Sequence, residues 1–191
     1  MVRIKTLFPA LAISGALLVS VPASADSPDI LNWLISVDRK KGVEPVTNDT
    51  WAEECGACHV AYPPGLLPAR SWKALLAPKA LADHFGENAE LDEDTLKVLT
   101  EYATTHAADQ SLYKRSRKIM ASIRDDETPL RITETRYIRR KHGEIPEKYI
   151  KGNPKVGSLS NCNACHTEID KGVFDDDTVI IPGVGRDWED D

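Results

Sequence analysis

CGACH, Cys55–His59, and CNACH, Cys162–His166, are one five-residue pattern written twice, and between them they use all four cysteines and two of the five histidines of the 191-residue chain. Cys-x-x-Cys-His is the attachment signature of a c-type haem. Two cysteines three apart on a helical turn lie on one face and can add to the two vinyl groups of one porphyrin, while the adjacent histidine reaches the iron. At this cysteine and histidine content one match is expected by chance only about 0.002 times, so two are not accidental. A four-cysteine zinc site pairs its Cys-x-x-Cys units about 15–20 residues apart, whereas over a hundred residues separate Cys58 from Cys162. Zinc, like structural disulfides, also leaves His59 and His166 unexplained. A redox-active dithiol needs an α/β framework that the helical patterning lacks. The cofactors expected are therefore two covalently attached haems c, held by Cys55 and Cys58 with His59, and by Cys162 and Cys165 with His166.

The compartment is read from the first 25 residues, MVRIKTLFPALAISGALLVSVPASA. Arg3 and Lys5 precede an apolar run from about Leu7 to Val21, and Ala23-Ser24-Ala25 supplies the small residues of a cleavage site. This is the pattern of a secretory signal peptide, cleaved before Asp26, and its apolar run falls short of the ~20 residues of a spanning helix. The expected location is a bacterial periplasm. The mature chain has 22 basic and 30 acidic residues, a net charge of −8. The acidic total and the export signal argue against nucleic-acid binding. Ser111 to Lys151 departs from the trend, with twelve Lys/Arg against six Asp/Glu, which suggests a basic face on an acidic molecule.

Helical patterns dominate. DILNWLISV, 29–37, is a short amphipathic segment. Asn48, Asp49 and Thr50 are candidate caps for a helix carrying the first motif. Ser71 precedes WKALLAPKALADHF, which Pro78 should interrupt. LDEDTLKVLTEYATTHA has acids in its first turn and Leu96, Leu99, Tyr102 and Ala103 on one face. SLYKRSRKIMASIR and RITETRYIRRKHGEI are helical patterns on either side of the turn DDETP, and Ser158 or Ser160 is placed to cap a last helix through SNCNACH. The end of the chain reads as irregular, with at most a short strand at 178–181, and the acidic DWEDD as a solubilising end. Aromatic residues are only 6% of the chain, so side chains alone make a thin core, and the porphyrins are expected to fill it. The fold class expected is all-α with two small haem domains, 26–110 and 111–191.

Function turns on the sixth iron ligand. After cleavage only Met120 remains as a methionine, and its neighbours Ile119 and Ile123 mark it as a core residue. His84, His106 and His142 are three candidates for two positions. His84 lies 25 residues after His59, ahead of an acid-capped helix, which resembles the class I cytochrome c arrangement with histidine in place of the usual methionine. His142 precedes Cys162 by 20 residues in a basic helical pattern. His106 lies at a helix end, where the macrodipole favours it without any ligand role. A crossed pairing of histidines and irons stays open at this level.

The leader, CGACHVAYPPGLLPARSW, HFGENAELD, a helix ending in AAD, then RIT, RRKHGEI and the closing CNACH together resemble the diheme cytochrome c family of exported bacterial electron carriers. The resemblance implies a class I-like N-terminal haem domain, a smaller and less regular C-terminal one, and close haems with both irons bis-histidine ligated. His84 and His142 match the family's distal positions. It further implies a monomeric electron carrier, not an enzyme. It would link a membrane-bound cytochrome b and a small soluble high-spin cytochrome, with peripheral membrane contact through the partner. The alternatives are a small peroxidase-like or oxygen-handling diheme enzyme with one open iron site, and an immobile haem subunit of a membrane complex.

Overall fold

The computed structural model describes residues 41–186. The expected leader, the segment 29–37 and the end 187–191 lie outside the described residues. Among the described residues the chain forms short helices and no β-strand: α1 Asp49–Gly56, α2 Ala69–Leu75, α3 Pro78–Leu81, α4 Glu93–Thr105, α5 Lys114–Met120, α6 Arg136–His142, α7 Glu147–Ile150 and α8 Cys162–Cys165. Four 3₁₀ turns, at Pro64–Leu66, Ile132–Glu134, Ile169–Lys171 and Asp176–Thr178, punctuate the connections. The fold is all-α.

The caps account for where several of the helices begin. The Asn48 side chain accepts from the Trp51 amide at 2.8 Å and opens α1. Asp92 does the same for α4 through Thr95 at 3.0 Å, with Glu93 and Asp94 in the first turn where the helix dipole favours negative charge. Pro78 divides the WKALLAPKALADHF pattern as its missing amide requires, ending α2 at Leu75 and occupying the first turn of α3. Ser71 does not open α2. The helix starts two residues earlier, and the Ala69 amide donates to the Asp109 carboxylate at 2.8 Å, a cap supplied from beyond the end of α4. Nor do Ser158 or Ser160 cap α8, since Asn161 stands at its N-cap and turns its side-chain amide to the Val156 carbonyl. The short strand expected at 178–181 is replaced by a 3₁₀ turn and isolated bridges, His166 to Val179 and Ile181 to Gly185.

The main core is built on α4. Leu99, Tyr102 and Ala103 are buried and Leu96 packs beside them, facing α1 and α2. Trp51 of α1 meets Trp72 of α2 edge-to-face at 5.4 Å, and Tyr102 lies 5.6 Å from Trp51. Such aromatic pairs contribute about 0.5–1.5 kcal/mol beyond the area they bury. Both indole N–H groups are satisfied, Trp51 donating to the Tyr62 carbonyl at 3.0 Å and Trp72 to the Pro64 carbonyl at 2.7 Å. The same core continues through Ile119, Ile132 and Tyr137 to Ile169 and Phe174. A smaller cluster of Ile150, Val156 and Ile181 lies under the second motif. Gly172 holds the first described residues against this second half: its carbonyl accepts from the Gly42 and Val43 amides at 2.9 and 3.2 Å. Its φ of +72° and the Val43 carbonyl, with which a Cβ would collide, exclude any other residue.

Adjacent positions on α4 give a direct test of this packing. Leu99 is fully buried and Val98 is 47% exposed. Leu99→Ala is expected to destabilise the holoprotein by about 2–5 kcal/mol, and Val98→Ala by no more than about 0.5 kcal/mol, measured by denaturant unfolding.

Candidate functional site

The first motif straddles the end of α1. Cys55 is in the last turn, and Cys58 and His59 follow the C-cap Ala57. The His59 Nδ1–H donates to the Val60 carbonyl at 2.7 Å. A carbonyl only accepts, so the proton sits on Nδ1 and Nε2 keeps its lone pair for a metal.

His84 arrives on a four-residue turn. The His84 amide donates to the Glu87 carbonyl at 2.7 Å and the Glu87 amide to the His84 carbonyl at 3.3 Å. Phe85 and Gly86 between them both have positive φ, +58° and +104°, and the Asp83 carboxylate accepts from the Gly86 amide at 3.0 Å. The turn sets the His84 ring 6.4 Å from that of His59, with the two planes only 21° apart. Both rings line a cavity of about 360 Å³. Its walls are apolar, among them Trp51, Leu67, Trp72, Leu75 and Ile132, and it is bordered by Cys55, Cys58 and, from the second motif, Cys162.

His142 is the last residue of α6, and its Nδ1–H donates to the Ile138 carbonyl one turn back at 2.9 Å. His166 follows α8 directly as its C-cap. The two rings are 6.0 Å apart with planes at 71°, and Phe174 packs on His166 at 5.2 Å. The His166 Nδ1 is buried without a hydrogen-bond partner.

These separations test the fit of an iron. Two metal–imidazole bonds of about 2 Å, plus about 1.1 Å from each nitrogen to its ring centre, span roughly 6.2 Å when collinear. The pairs stand at 6.4 and 6.0 Å, so both gaps suit one metal ion with two axial imidazoles. All four cysteines are free. Among the described residues no three of His, Cys, Asp and Glu converge on a common metal position. His106 is engaged elsewhere: its Nδ1 lies 3.1 Å from the Glu44 carboxylate and its ring 4.6 Å from that of Tyr102.

Burial sets the electrostatics. Burial, with Glu54 nearby, pushes the Cys55 thiol up to about 12, and burial pushes Cys162 up to about 11, so both remain uncharged at neutral pH. Burial, then His142 and Arg115, takes His166 down to about 4 against the opposing pull of Asp176. His84 is lowered by burial, His59 and Arg131. Both imidazoles are therefore neutral, the ligating form.

The motif spacing gave no sign of Tyr62. Its ring stacks on His59 at 4.7 Å and 24°, while its hydroxyl donates to the Ser160 carbonyl, two residues ahead of Cys162. One side chain thus ties the two motifs together. Arg115 was equally silent: it donates to the Tyr137 hydroxyl at 3.1 Å and the Phe174 carbonyl at 2.7 Å, holding the ring that packs on His166. No local pattern marks such residues, because their partners are 22 to 98 positions away.

The family described as dihaem cytochrome c matches residues 51–174. Among solved structures, a diheme cytochrome type c from Shewanella baltica OS155 is similar at 43% identity and a TM-score of 0.60, covering 74% of this chain and 97% of that one. A diheme cytochrome c from Rhodobacter sphaeroides is similar at 41% identity and a TM-score of 0.61, covering 69% of this chain and 100% of that one. No match was found among the curated proteins.

Tyr62 supplies a pH test. Burial, the larger cause and the one that persists when Cys162 is bonded to haem, pushes its phenol up from 10.0 towards about 12. Its uncharged form is thus favoured by the fold, a contribution complete below pH 10 and lost as the pH climbs through about 12. Between those values the stability of the holoprotein is expected to fall more steeply than that of Tyr62→Phe, measured by chemical denaturation across the range.

Proposed function

Given that the chain belongs to the dihaem cytochrome c family, we propose that it is a periplasmic electron carrier, exported by the leader at 1–25 and acting as a monomer. The chain carries two covalently attached c-type haems, and family membership implies electron transfer. In our reading Cys55 and Cys58 anchor the first haem with His59 and His84 as axial ligands. Cys162 and Cys165 anchor the second with His166 and His142. The observation that carries this reading is the pairing of the rings: each motif histidine lies about 6 Å, centre to centre, from one other histidine, the separation that two imidazoles on one metal ion need. Both histidines of the first pair precede residue 110 and both of the second follow it, which supports dividing the haem sites at that point.

The iron supplies reversible one-electron chemistry, and the chain's residues determine what else can happen there. With imidazole on both sides, the sixth position is closed to peroxide or oxygen, which favours electron transfer over an enzymatic role. Two histidines also set a lower potential than a His/Met pair would. The carbonyls of Val60 and Ile138 each accept from Nδ1–H of their imidazole, which fixes ring orientation, leaves Nε2 to the metal and raises ligand basicity. The largely apolar walls around His59 and His84, Trp51, Leu67, Trp72, Leu75 and Ile132 among them, suit the face of a porphyrin. The partners we propose are a membrane-bound cytochrome b and a small soluble high-spin cytochrome, with any contact to the membrane made through the former. Among the described residues no helix is long and apolar enough to cross a membrane. Arg139 and Arg140, exposed on α6 just ahead of His142, give the second site a basic rim suited to transient, charge-steered docking.

Electron paramagnetic resonance of the oxidised protein tests the ligand assignment. Two low-spin signals are expected, with one haem turning high-spin in His84→Ala and the other in His142→Ala. The ring angles add a distinction. Imidazole planes 21° apart act on the same iron orbital and split the pair strongly, giving a rhombic spectrum. Planes at 71° act on both orbitals nearly equally, giving a signal of large maximal g. A high-spin haem in the unmutated protein would contradict the carrier reading. The docking idea has its own check: electron transfer to a soluble high-spin cytochrome is expected to slow as salt rises, and a flat salt profile would count against it.

A further inference from the structure

The turn that presents His84 is strained in a way its neighbours do not explain. Type I′ geometry suits Asn-Gly or Gly-Gly, because both central residues have positive φ. Gly86 meets that demand and Phe85 does not: at φ +58° it is a bulky residue in the left-handed region, a conformation that persists only where surrounding structure enforces it. Burial is not what enforces it, since Phe85 is 48% exposed. What the ring does meet is Arg131, whose guanidinium carbon lies 3.9 Å from the ring centroid, and the imidazole of His84, edge-on at 4.9 Å. Arg131 stands between Leu130 and Ile132, both on the cavity wall, and Ile132 is buried in the main core. The guanidinium is therefore carried by an anchored segment. Its nearest carboxylate, Glu134, is at 3.8 Å and exposed, so it does not draw the side chain away from the ring.

We propose that Arg131 is a positioning residue for the first haem: stacked on Phe85, it clamps the strained turn that delivers His84 to the iron. This rests on His84 being an axial ligand. Release of the clamp lets Phe85 leave the left-handed region, and the turn carries His84 away from its position opposite His59. Arg131 has a second effect through its charge. A cation beside the site favours the reduced, more electron-rich centre.

The test is a double-mutant cycle on the holoprotein, with Arg131→Gln, Phe85→Leu and the two combined. Carbon monoxide binding to the reduced protein is the readout, because it requires His84 to leave. Each single variant is expected to speed binding at one haem on the order of fivefold to tenfold, the range a partly desolvated cation–π contact spans. The double variant is expected to add little more. Redox titration separates the clamp from the charge: Arg131→Gln lowers the potential of that haem, and Phe85→Leu, which keeps the cation, leaves it near the original. Unchanged carbon monoxide binding in Arg131→Gln, or fully additive effects in the double variant, would overturn the clamp. His84→Ala serves as the control. If it opens no haem to carbon monoxide, the ligand assignment itself fails; if it opens one while Arg131→Gln opens none, only the clamp fails.

Discussion

Two pairs of imidazoles stand about 6 Å apart, and much of the molecule's local structure serves to hold them there. Each ring needs a backbone that places it, and for His59 and His142 a ring hydrogen bond to a carbonyl adds to that. The chain places the four rings in four different ways. His59 leaves the C-terminus of α1 and is turned by its own neighbour's carbonyl. His142 closes α6 and uses the carbonyl one turn back. His166 is set by the end of α8 and by backbone pairing with Val179, and His84 by a tight turn. The imidazoles of His84 and His166 are kept neutral mainly by burial, and in each an arginine and the facing histidine act in the same direction.

The two sites share walls. Cys162 of the second motif borders the cavity that His59 and His84 line, together with residues 130–133 from the loop ahead of α6. Tyr62 spans the same boundary, stacked on one motif and hydrogen-bonded beside the other. At the opposite end of the chain Gly172 pairs with Gly42 and Val43. Contacts of such long sequence separation join the walls of the two sites into one packed unit. That arrangement suits a protein whose two centres exchange electrons.

Much of this was legible in the residues because the chemistry is local. Five consecutive residues specify a haem anchor, Asn48 and Asp92 announce their helices, and Pro78 forces a break. The α4 face was readable from periodicity alone. The quoted AAD and RIT stretches held more than their spacing disclosed: Asp109 caps α2 from forty residues away, and Arg131 stacks on Phe85. The failures share one cause. Ser158 and Ser160 were read as caps from local preference, whereas Asn161 holds the N-cap of α8, and Ser71 lies inside α2, whose first amide is met by Asp109 from forty residues away. The strand at 178–181 was read from β-branched residues, yet Val179 and Ile181 pair only with His166 and Gly185. The Ile181 side chain serves burial under the second motif rather than a sheet, which a two-residue periodicity cannot reveal.

The helices themselves are too short to stand alone. Isolated helices below about 12–15 residues are marginal in water, and among the described residues only α4, with thirteen, reaches that length. α6 has seven residues and no side-chain cap, and α8 has four, yet their ends carry the paired rings of His142 and His166. What stabilises them must come from outside their own hydrogen bonds. Part is the packing of Tyr137 and Ile169 into the main core, and part is the haem, which stays tethered to the unfolded chain but is buried among apolar side chains only in the folded one. The low aromatic content that made the core look thin is the same fact seen from the sequence: the porphyrin completes an interior that the side chains leave open.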